Sequence, residues 1–577
     1  MTAAGTSTIS NAIVLSGTGG VIDTTGATTL SGAISGTGQL WKLGSGDAIL
    51  TGVNTYSGNT NVSGGSLTIN GSVASPNVTV FNGGTLKGSG RINGNLTGYG
   101  TVSPGNSPGI LTVTGNYVEN GILDIEVGGT AAGVNPAGFD QVNVTGTFTA
   151  NSTATLRVTR FNAFDPARGQ SFQAIVAGSY VGGFGILDRN TQTAQVLYQP
   201  TTGKIYGTGL SETQTFADLD ATVANRVAVG TALWADGVSN GTVIKNSAGS
   251  TTSTAKAFLT ANDVGGAAAA VLLATDVGAA LDALSPEAYG AVARMSARNT
   301  LALTRSFLTD QPVGEAWTYQ VGYDAQKATA TASPTTQNGA YDVHATYLLA
   351  TRCLGTASKL SVILSDDLGD VTAAGFSATA KGQSFGVGFG TDFGAARLDL
   401  ALAGGNQKAS GLRSGQAFSS AQVKSSVVAA RLTLAPVAGF TPFVGLNRTS
   451  GGMNAFAESG SGANLSVGGF SQVSTVAEIG ADFTYKLSEK VALGLTAAFE
   501  HELASDQTTI SAGFADATVP TAFTVNTYGF GKDIFRGGVS FKAAVSETST
   551  AGLSYEMRSG SGVKSASEVK LSYTSRF

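Results

Sequence analysis

Few residues of this 577-residue chain could carry chemistry: two histidines, one cysteine, and scattered acids and arginines. His344 and His501 both lie in the C-terminal half, and neither histidine nor cysteine precedes residue 344. That excludes a Ser-His-Asp triad, a Cys-His pair and the usual zinc ligand sets from everything before it. The alternation around His344 places it on the polar, lumen-side face of its segment. His501 falls at a segment end near an interface, and both histidines read as structural. Cys353 ends a segment and reads as an unpaired filler. Asp124 and Glu126 share one face of a short alternating run, the raw material of a glycan-cleaving site. The glycine runs lack the strand–loop–helix setting of a phosphate loop and show no calcium-binding nonapeptide array. No catalytic residue, cofactor or metal ligand is assigned.

A second constellation is more specific. Ser285-Pro286-Glu287 has the form of a helix start: a capping serine, proline at the first helical position, then an acid at the positive end of the dipole. A helix over about 286–309 follows, and Arg294, Arg298 and Arg305, spaced by 4 and 7, share one of its faces. Such a stripe needs anionic partners if it is buried. Asp324, Asp399, Asp482, Glu500, Glu502 and Glu556 all occupy the polar phase of later alternating segments and are the candidates.

The elements that must position these groups come in two kinds. Residues 1–210 hold 39 of the 80 glycines but only 8 basic and 8 acidic residues. Within them, Ser66–Asn70, Asn77–Phe81, Ile110–Thr114, Ile122–Glu126 and Gln141–Thr145 alternate apolar with polar, which means strand. Asn-Gly and Gly-Gly pairs punctuate them at quasi-regular spacing. Hairpins would give a sandwich, but strands this short and numerous favour a parallel β-helix with a stacked Val/Ile/Leu column. Net charge is −4, which leaves no footprint for nucleic acid. The longest uncharged apolar run in the alanine-rich middle, Val264 to Ala274, is too short to span a bilayer, which takes about 20 residues.

From Glu315 to Phe577, about twelve segments of roughly ten residues alternate in polarity, as outer-membrane barrel strands do. Trp317, Tyr319, Val321 and Tyr323 share one face; Leu398, Leu400 and Leu402 share another. The polar phase is rich in glycine, alanine and charge, too small or too polar to fill a soluble core, so apolar-out is expected. The last segment puts Val569, Leu571, Tyr573 and Phe577 on one face and ends on an aromatic. Twelve strands enclose more space than eight, enough for a helix to cross the lumen.

Motifs then carry a family resemblance. Leu40-Trp41-Lys42-Leu43-Gly44-Ser45-Gly46, Ile49 to Thr60, Val62 and Gly64-Gly65-Ser66-Leu67 together resemble the passenger-associated transport repeat of autotransporters. Residues 83–205 resemble the autochaperone-like stem that follows it, through Gly83-Gly84-Thr85-Leu86, Pro104 to Gly109 and Gly138 to Val144. Ala280 to Tyr289 resembles the linker before the autotransporter barrel. The alternation ending in Val569, Leu571, Tyr573 and Phe577 resembles the β-signal read during barrel insertion.

The resemblance to the classical autotransporter family implies an all-β chain. A right-handed parallel β-helix stem (1–210, with the repeat at about 40–71) would precede a helical linker (211–314) and a twelve-stranded antiparallel transmembrane barrel (315–577). It implies export and display of the stem on the surface of a Gram-negative outer membrane, in adhesion or surface display. The implied partners are outer-membrane lipid, the barrel-assembly machinery, periplasmic chaperones and a host or neighbouring-cell surface. A porin-like channel and a surface-displayed glycan-active enzyme are the rival readings. Met1 runs into Thr2-Ala3-Ala4-Gly5 without a basic region or an apolar core. An export signal is therefore expected upstream, in a longer precursor or beyond a misplaced start site.

Overall fold

In a computed structural model, the described residues are 2–3, 5–190, 195–211, 213–245, 251–309, 317–330, 339–504, 508–527, 531–561 and 563–577. They form two units, residues 1–215 with 233–277, and residues 216–232 with 278–577.

The first unit is a β-solenoid. Its strands are two to six residues long through Val127, and successive coils pair in parallel. One chain of register partners runs Leu40, Thr60, Val78, Leu96, Tyr117, Phe148. Each of these side chains is buried, so one inward position per coil builds a continuous column. The parallel ladder excludes the hairpin sandwich, because every coil satisfies its backbone groups on the coils above and below. Glycine serves the corners: Gly88 has φ +108°, and a Cβ there would sit 2.1 Å from the carbonyl oxygen of Ile69. Only a residue without a side chain meets both demands.

The regular coils end in irregular pairing. Strands Ser171–Gln173 and Val196–Gln199 each pair antiparallel with Lys204–Gly207. The antiparallel hairpin Val238–Lys245 and Thr251–Leu259 joins the same sheet, the first strand pairing in parallel with Ile186–Asp188. Solenoid structure thus continues past residue 210, and part of the segment expected to be a helical linker is strand. Its alternation (Val243 and Ala257 inward) is what lets it add to the sheet.

Two carboxyls are buried in this unit. Glu119 lies in an inward column beside Gly98 and accepts from the Tyr117 hydroxyl and the Gly121 amide (2.6 Å). Asp140 accepts from the amides of Gly109 (2.7 Å) and Glu126 (2.9 Å), tying the Pro104–Gly109 turn to the strand Ile122–Val127. Burial pushes Glu119 up to about 7 and Asp140 up to about 8, against the partial opposition of those hydrogen bonds. The folded stem therefore holds protons that the unfolded chain releases near pH 4. Their contribution to stability is full below that value, falls as pH rises towards 7–8, and is flat above. The urea midpoint of the strands Ile110–Val113 and Gln141–Ala150, read by hydrogen exchange, should be lower at pH 8 than at pH 5.5. A midpoint that rises over this interval contradicts the assignment.

The second unit contains a closed barrel of twelve strands, from Trp317–Ala330 to Val563–Arg576, which pair with each other to shut it. Neighbours are antiparallel throughout. The expected start at residue 315 lies outside the described residues. At the rim carrying Trp317 and Phe577 the connections are short, as between Leu354 and Ser358. At the opposite rim two are long and contribute a four-stranded sheet, Phe456–Ala457, Leu465–Val467, Thr509–Phe514 and Phe523–Asn526.

The barrel is apolar outside. Val321, Leu364, Phe385, Leu402, Val428, Ile479, Leu553 and Leu571 are all exposed, while Gln320, Asp367, Asp399, Glu478 and Glu500 are buried. This is the inverse of a soluble barrel and the pattern that lipid requires. One placement differs from expectation. His344 lies on the outer face, stacked on Tyr323 (5.8 Å between rings, 16°), because Tyr341, Val343, Ala345 and Tyr347 take the inward phase. The inward set is itself largely apolar and aromatic on that strand, so polarity misassigned its faces. His501 does lie at a strand end, bonded to Asp533 (2.6 Å).

Candidate functional site

The helix Tyr289–Thr309 runs inside this barrel. It starts three residues later than expected. Ser285 Oγ does accept the Glu287 amide (3.3 Å), but the amides of Tyr289, Gly290 and Ala291 bond three residues back, to the carbonyls of Pro286, Glu287 and Ala288. That tight first turn precedes the α-helix proper. Twenty-one residues at 1.5 Å each give about 31 Å, enough to cross the hydrophobic thickness of a membrane. No helix in the described residues is long and apolar enough to span a membrane itself.

Glycines in the wall make room for it. A Cβ on Gly451 would lie 2.2 Å from the Ala293 carbonyl oxygen. One on Gly369 would meet the Met295 sulfur at 2.5 Å, and one on Gly388 the Phe307 ring at 2.7 Å. These three inward glycines are thus sockets for the helix. Leu303, Phe307 and Leu308 pack on Ala345, Tyr347, Ile363 and Val427 along the wall.

Arg305 meets the acids. It donates to Glu500 (2.8 Å) and lies 3.6 Å from Glu556 and 4.0 Å from Glu478. Arg536, from the wall, bridges the same three carboxylates. Arg558 adds contacts to Glu556 and Glu568. Arg298 shares with Glu500 and Glu502 the lining of a small cavity beside this cluster, and Arg294 is buried one turn above Arg298.

The other candidate acids face inward but serve the wall. Asp399 pairs with Arg397 and Lys359, and Asp482 pairs with Arg431. Glu502 accepts from Ser474 and from the Thr475 amide. Asp324 is buried opposite Lys570 in the seam where first and last strands meet. The side chains of Val569, Leu571, Tyr573 and Phe577 share the outer face of that last strand.

Both helix ends are tied. At the short-turn rim Lys359 Nζ donates to the Phe307 carbonyl (2.7 Å), a cation at the negative end of the dipole. At the long-loop rim Tyr289 sits edge-on to Phe376, Phe418 and Phe456 and donates to Glu458 (2.5 Å). Arg413 grips Glu458 through two bonds of 2.6 Å and also reaches the Ala283 carbonyl. Glu287 accepts from Asn225, which exchanges bonds with the backbone of Asn526. Sequence reasoning missed Glu478, Glu568, Arg536 and Arg558, although Glu478 has the parity of Asp482 and Arg558 that of Glu556. Glu458 lies in a connection between barrel strands, where no alternation signals it. Among the described residues, no group of three or more His, Cys, Asp or Glu is placed to hold a metal ion.

Comparisons with known proteins agree with this architecture. Residues 317–556 match the model of the autotransporter β-domain, and residues 40–69 that of the passenger-associated transport repeat. An extracellular serine protease of Serratia marcescens is 49% identical over 84 residues, 14% of this chain and 8% of that protein. The BmaC autotransporter adhesin of Brucella suis is 46% identical over 83 residues, 14% of this chain and 2% of that protein. The chain thus spans only a small part of the curated relatives it matches. Among solved structures, the translocator domain of the Neisseria meningitidis autotransporter NalP matches 50% of this chain and 99% of its own length, at 16% identity and TM-score 0.39. The transport unit of the Escherichia coli autotransporter AIDA-I matches 51% and 99%, at 10% identity and TM-score 0.37. The chain thus carries an autotransporter β-domain and a passenger-associated transport repeat on one polypeptide.

Proposed function

We propose that the barrel carries the β-helical stem across the outer membrane and holds it at the cell surface for adhesion or display, and that the helix Tyr289–Thr309 closes the pore once export is complete. One observation carries this reading. The helix ends with Thr309 towards the rim where the barrel strands begin and end, while Ala283, before its start, is bonded to Arg413 and Ser414 at the long-loop rim. The polypeptide therefore threads the lumen once, from one rim to the other. Burial of apolar side chains as each coil stacks, at about 25 cal/mol per Å², favours movement in the folding direction without nucleotide hydrolysis.

Insertion would engage the barrel-assembly machinery through Val569, Leu571, Tyr573 and Phe577, after escort by periplasmic chaperones. The adhesive partner would be a host or neighbouring-cell surface, by analogy with the Brucella adhesin. The reading gives residues 1–577 no catalytic step. The serine protease relative matches over too short a stretch to transfer its activity.

Protease added to intact cells tests the reading. Residues 1–210 should become accessible while the barrel stays protected. A properly inserted barrel whose stem resists protease until the cells are broken would overturn it.

A further inference from the structure

The outer face of the barrel carries a basic patch where lipid-facing residues should be apolar. Lys381, Lys408, Lys424 and Arg448 come from four adjacent strands, Phe376–Phe393, Ala396–Arg413, Gln416–Leu434 and Phe440–Met453. All four are exposed and alternate with buried inward neighbours, so they point away from the lumen. Lys381 and Lys408 are direct cross-strand partners. Lys424 pairs with Asn406, one diagonal step from Lys408. Directly opposed side chains have Cβ atoms about 5 Å apart, and like charges so placed are destabilising. Arg448 donates to Thr475, and none of the three lysines has an ion-pair partner within 4 Å among the described residues. Two acids share this outer face on the neighbouring strand Ser358–Ala373. Asp370 accepts from Thr379 and Asp366 pairs with Gln383, which leaves Lys408, Lys424 and Arg448 as the uncompensated centre.

Height along the barrel says what neutralises them. The continuous exposed apolar band on these strands ends at Phe385, Leu402, Val428 and Leu446, with Leu412 standing alone nearer the long-loop rim. Lys381 lies four residues beyond Phe385 towards the long-loop rim. At about 3.3 Å per residue and a tilt near 40°, that is about 10 Å above the apolar edge, at headgroup level. A lysine in hydrocarbon is costly, but one facing anionic headgroups is attracted to them, by about 1 kcal/mol per charge near the surface. Around the cations the same face carries hydroxyls and amides: Ser377, Gln383, Asn406, Ser410, Gln422 and Ser426. These suit sugar hydroxyls better than acyl chains.

We propose that this patch binds a phosphorylated glycolipid of the leaflet at the long-loop rim, its phosphates seated between Lys381, Lys408, Lys424 and Arg448. The proposal goes beyond the export reading. It requires only that the barrel closes and the loops face outward.

The test uses the full chain folded in zwitterionic detergent, with a diphosphorylated glucosamine-disaccharide lipid and its dephosphorylated counterpart as probes. Barrel closure is checked by heat-modifiable electrophoretic mobility, and bound lipid is counted by native mass spectrometry. The wild type should prefer the diphosphorylated lipid at least tenfold. The triple variant Lys381→Gln, Lys408→Gln, Lys424→Gln should close normally and lose that preference, while Lys486→Gln with Lys490→Gln, at the opposite rim, should keep it. Lys408→Glu keeps the test decisive if the triple variant does not close. Without lipid it should be at least as heat-stable as wild type, because a repulsion is gone, and it should lose the gain that the phosphorylated lipid gives. Equal binding of the two lipids by the wild type, or undiminished preference in a closed Lys408→Glu or triple variant, overturns the proposal.

Discussion

Replacing Gly451 with leucine should open the pore. In planar bilayers the full-length variant should pass current at least ten times more often than the wild type. The expectation rests on a single close approach. A Cβ at position 451 would stand 2.2 Å from the carbonyl oxygen of Ala293 and 3.0 Å from the Ala297 methyl. Both neighbours belong to the helix, and the first is backbone, so no rotamer change relieves the clash. Overpacking typically costs about 1–3 kcal/mol, and tenfold in an equilibrium is about 1.4 kcal/mol. The barrel closes through its wall strands, so the cost falls on the seated helix. Gly537→Ala is the control, since a Cβ there meets nothing within 4 Å. If Gly451→Leu conducts like the wild type, the helix is not the plug.

The second large effect is expected at Arg305. Arg305→Leu removes a buried guanidinium from among Glu500, Glu556 and Glu478 and leaves Arg536 and Arg558 to serve four carboxylates. Breaking a buried pair from one side costs about 3–5 kcal/mol, because the abandoned charge stays out of water. The heat-modifiability midpoint should fall and pore openings should become frequent. Adding Glu500→Gln should recover part of the loss, since a neutral amide no longer demands the missing cation. A double-mutant cycle measures that coupling, and a value near zero would show that the pair does not hold the helix. By contrast, Asp399→Asn and Asp482→Asn should leave the pore closed, because those acids pair with Arg397, Lys359 and Arg431 of the wall.

The candidate site was legible in sequence to the extent that strand parity reaches. Period-two alternation put Asp324, Asp399, Asp482, Glu500, Glu502 and Glu556 on the lumen side, and all six face inward. The same rule would have yielded Glu478 and Arg558 had every polar residue of that phase been collected. It failed at His344, where the inward face of the strand Gly339–Leu354 carries Tyr341, Val343 and Tyr347 because a helix fills the lumen there. An apolar inward face makes sense only when something apolar lies inside. Parity had no purchase on Glu458, a loop residue, or on its pairing with Arg413, which shares the inward phase of Asp399. Their pairing brings a loop residue to a strand end 45 positions away, with Tyr289 a further 124 positions upstream of Arg413.

The sequence by itself determined the two architectures, the number of barrel strands, the outward face of most of them and the existence of a basic helix before the barrel. Local periodicity, glycine punctuation and composition suffice for these, since each follows from how a short segment meets its solvent. Which acid meets which arginine was decided only by tertiary structure. Strand register and barrel closure set the height of each inward residue, and the seating of the helix sets its rotation. Neither quantity is written in any one segment. Arg305 meets Glu500 and Glu556, both foreseen from sequence, and Glu478, which was not, because its turn lies level with all three. The lysine patch has the same origin: three unremarkable residues on separate strands became one charged surface when the register set Lys381 against Lys408 and Asn406 against Lys424.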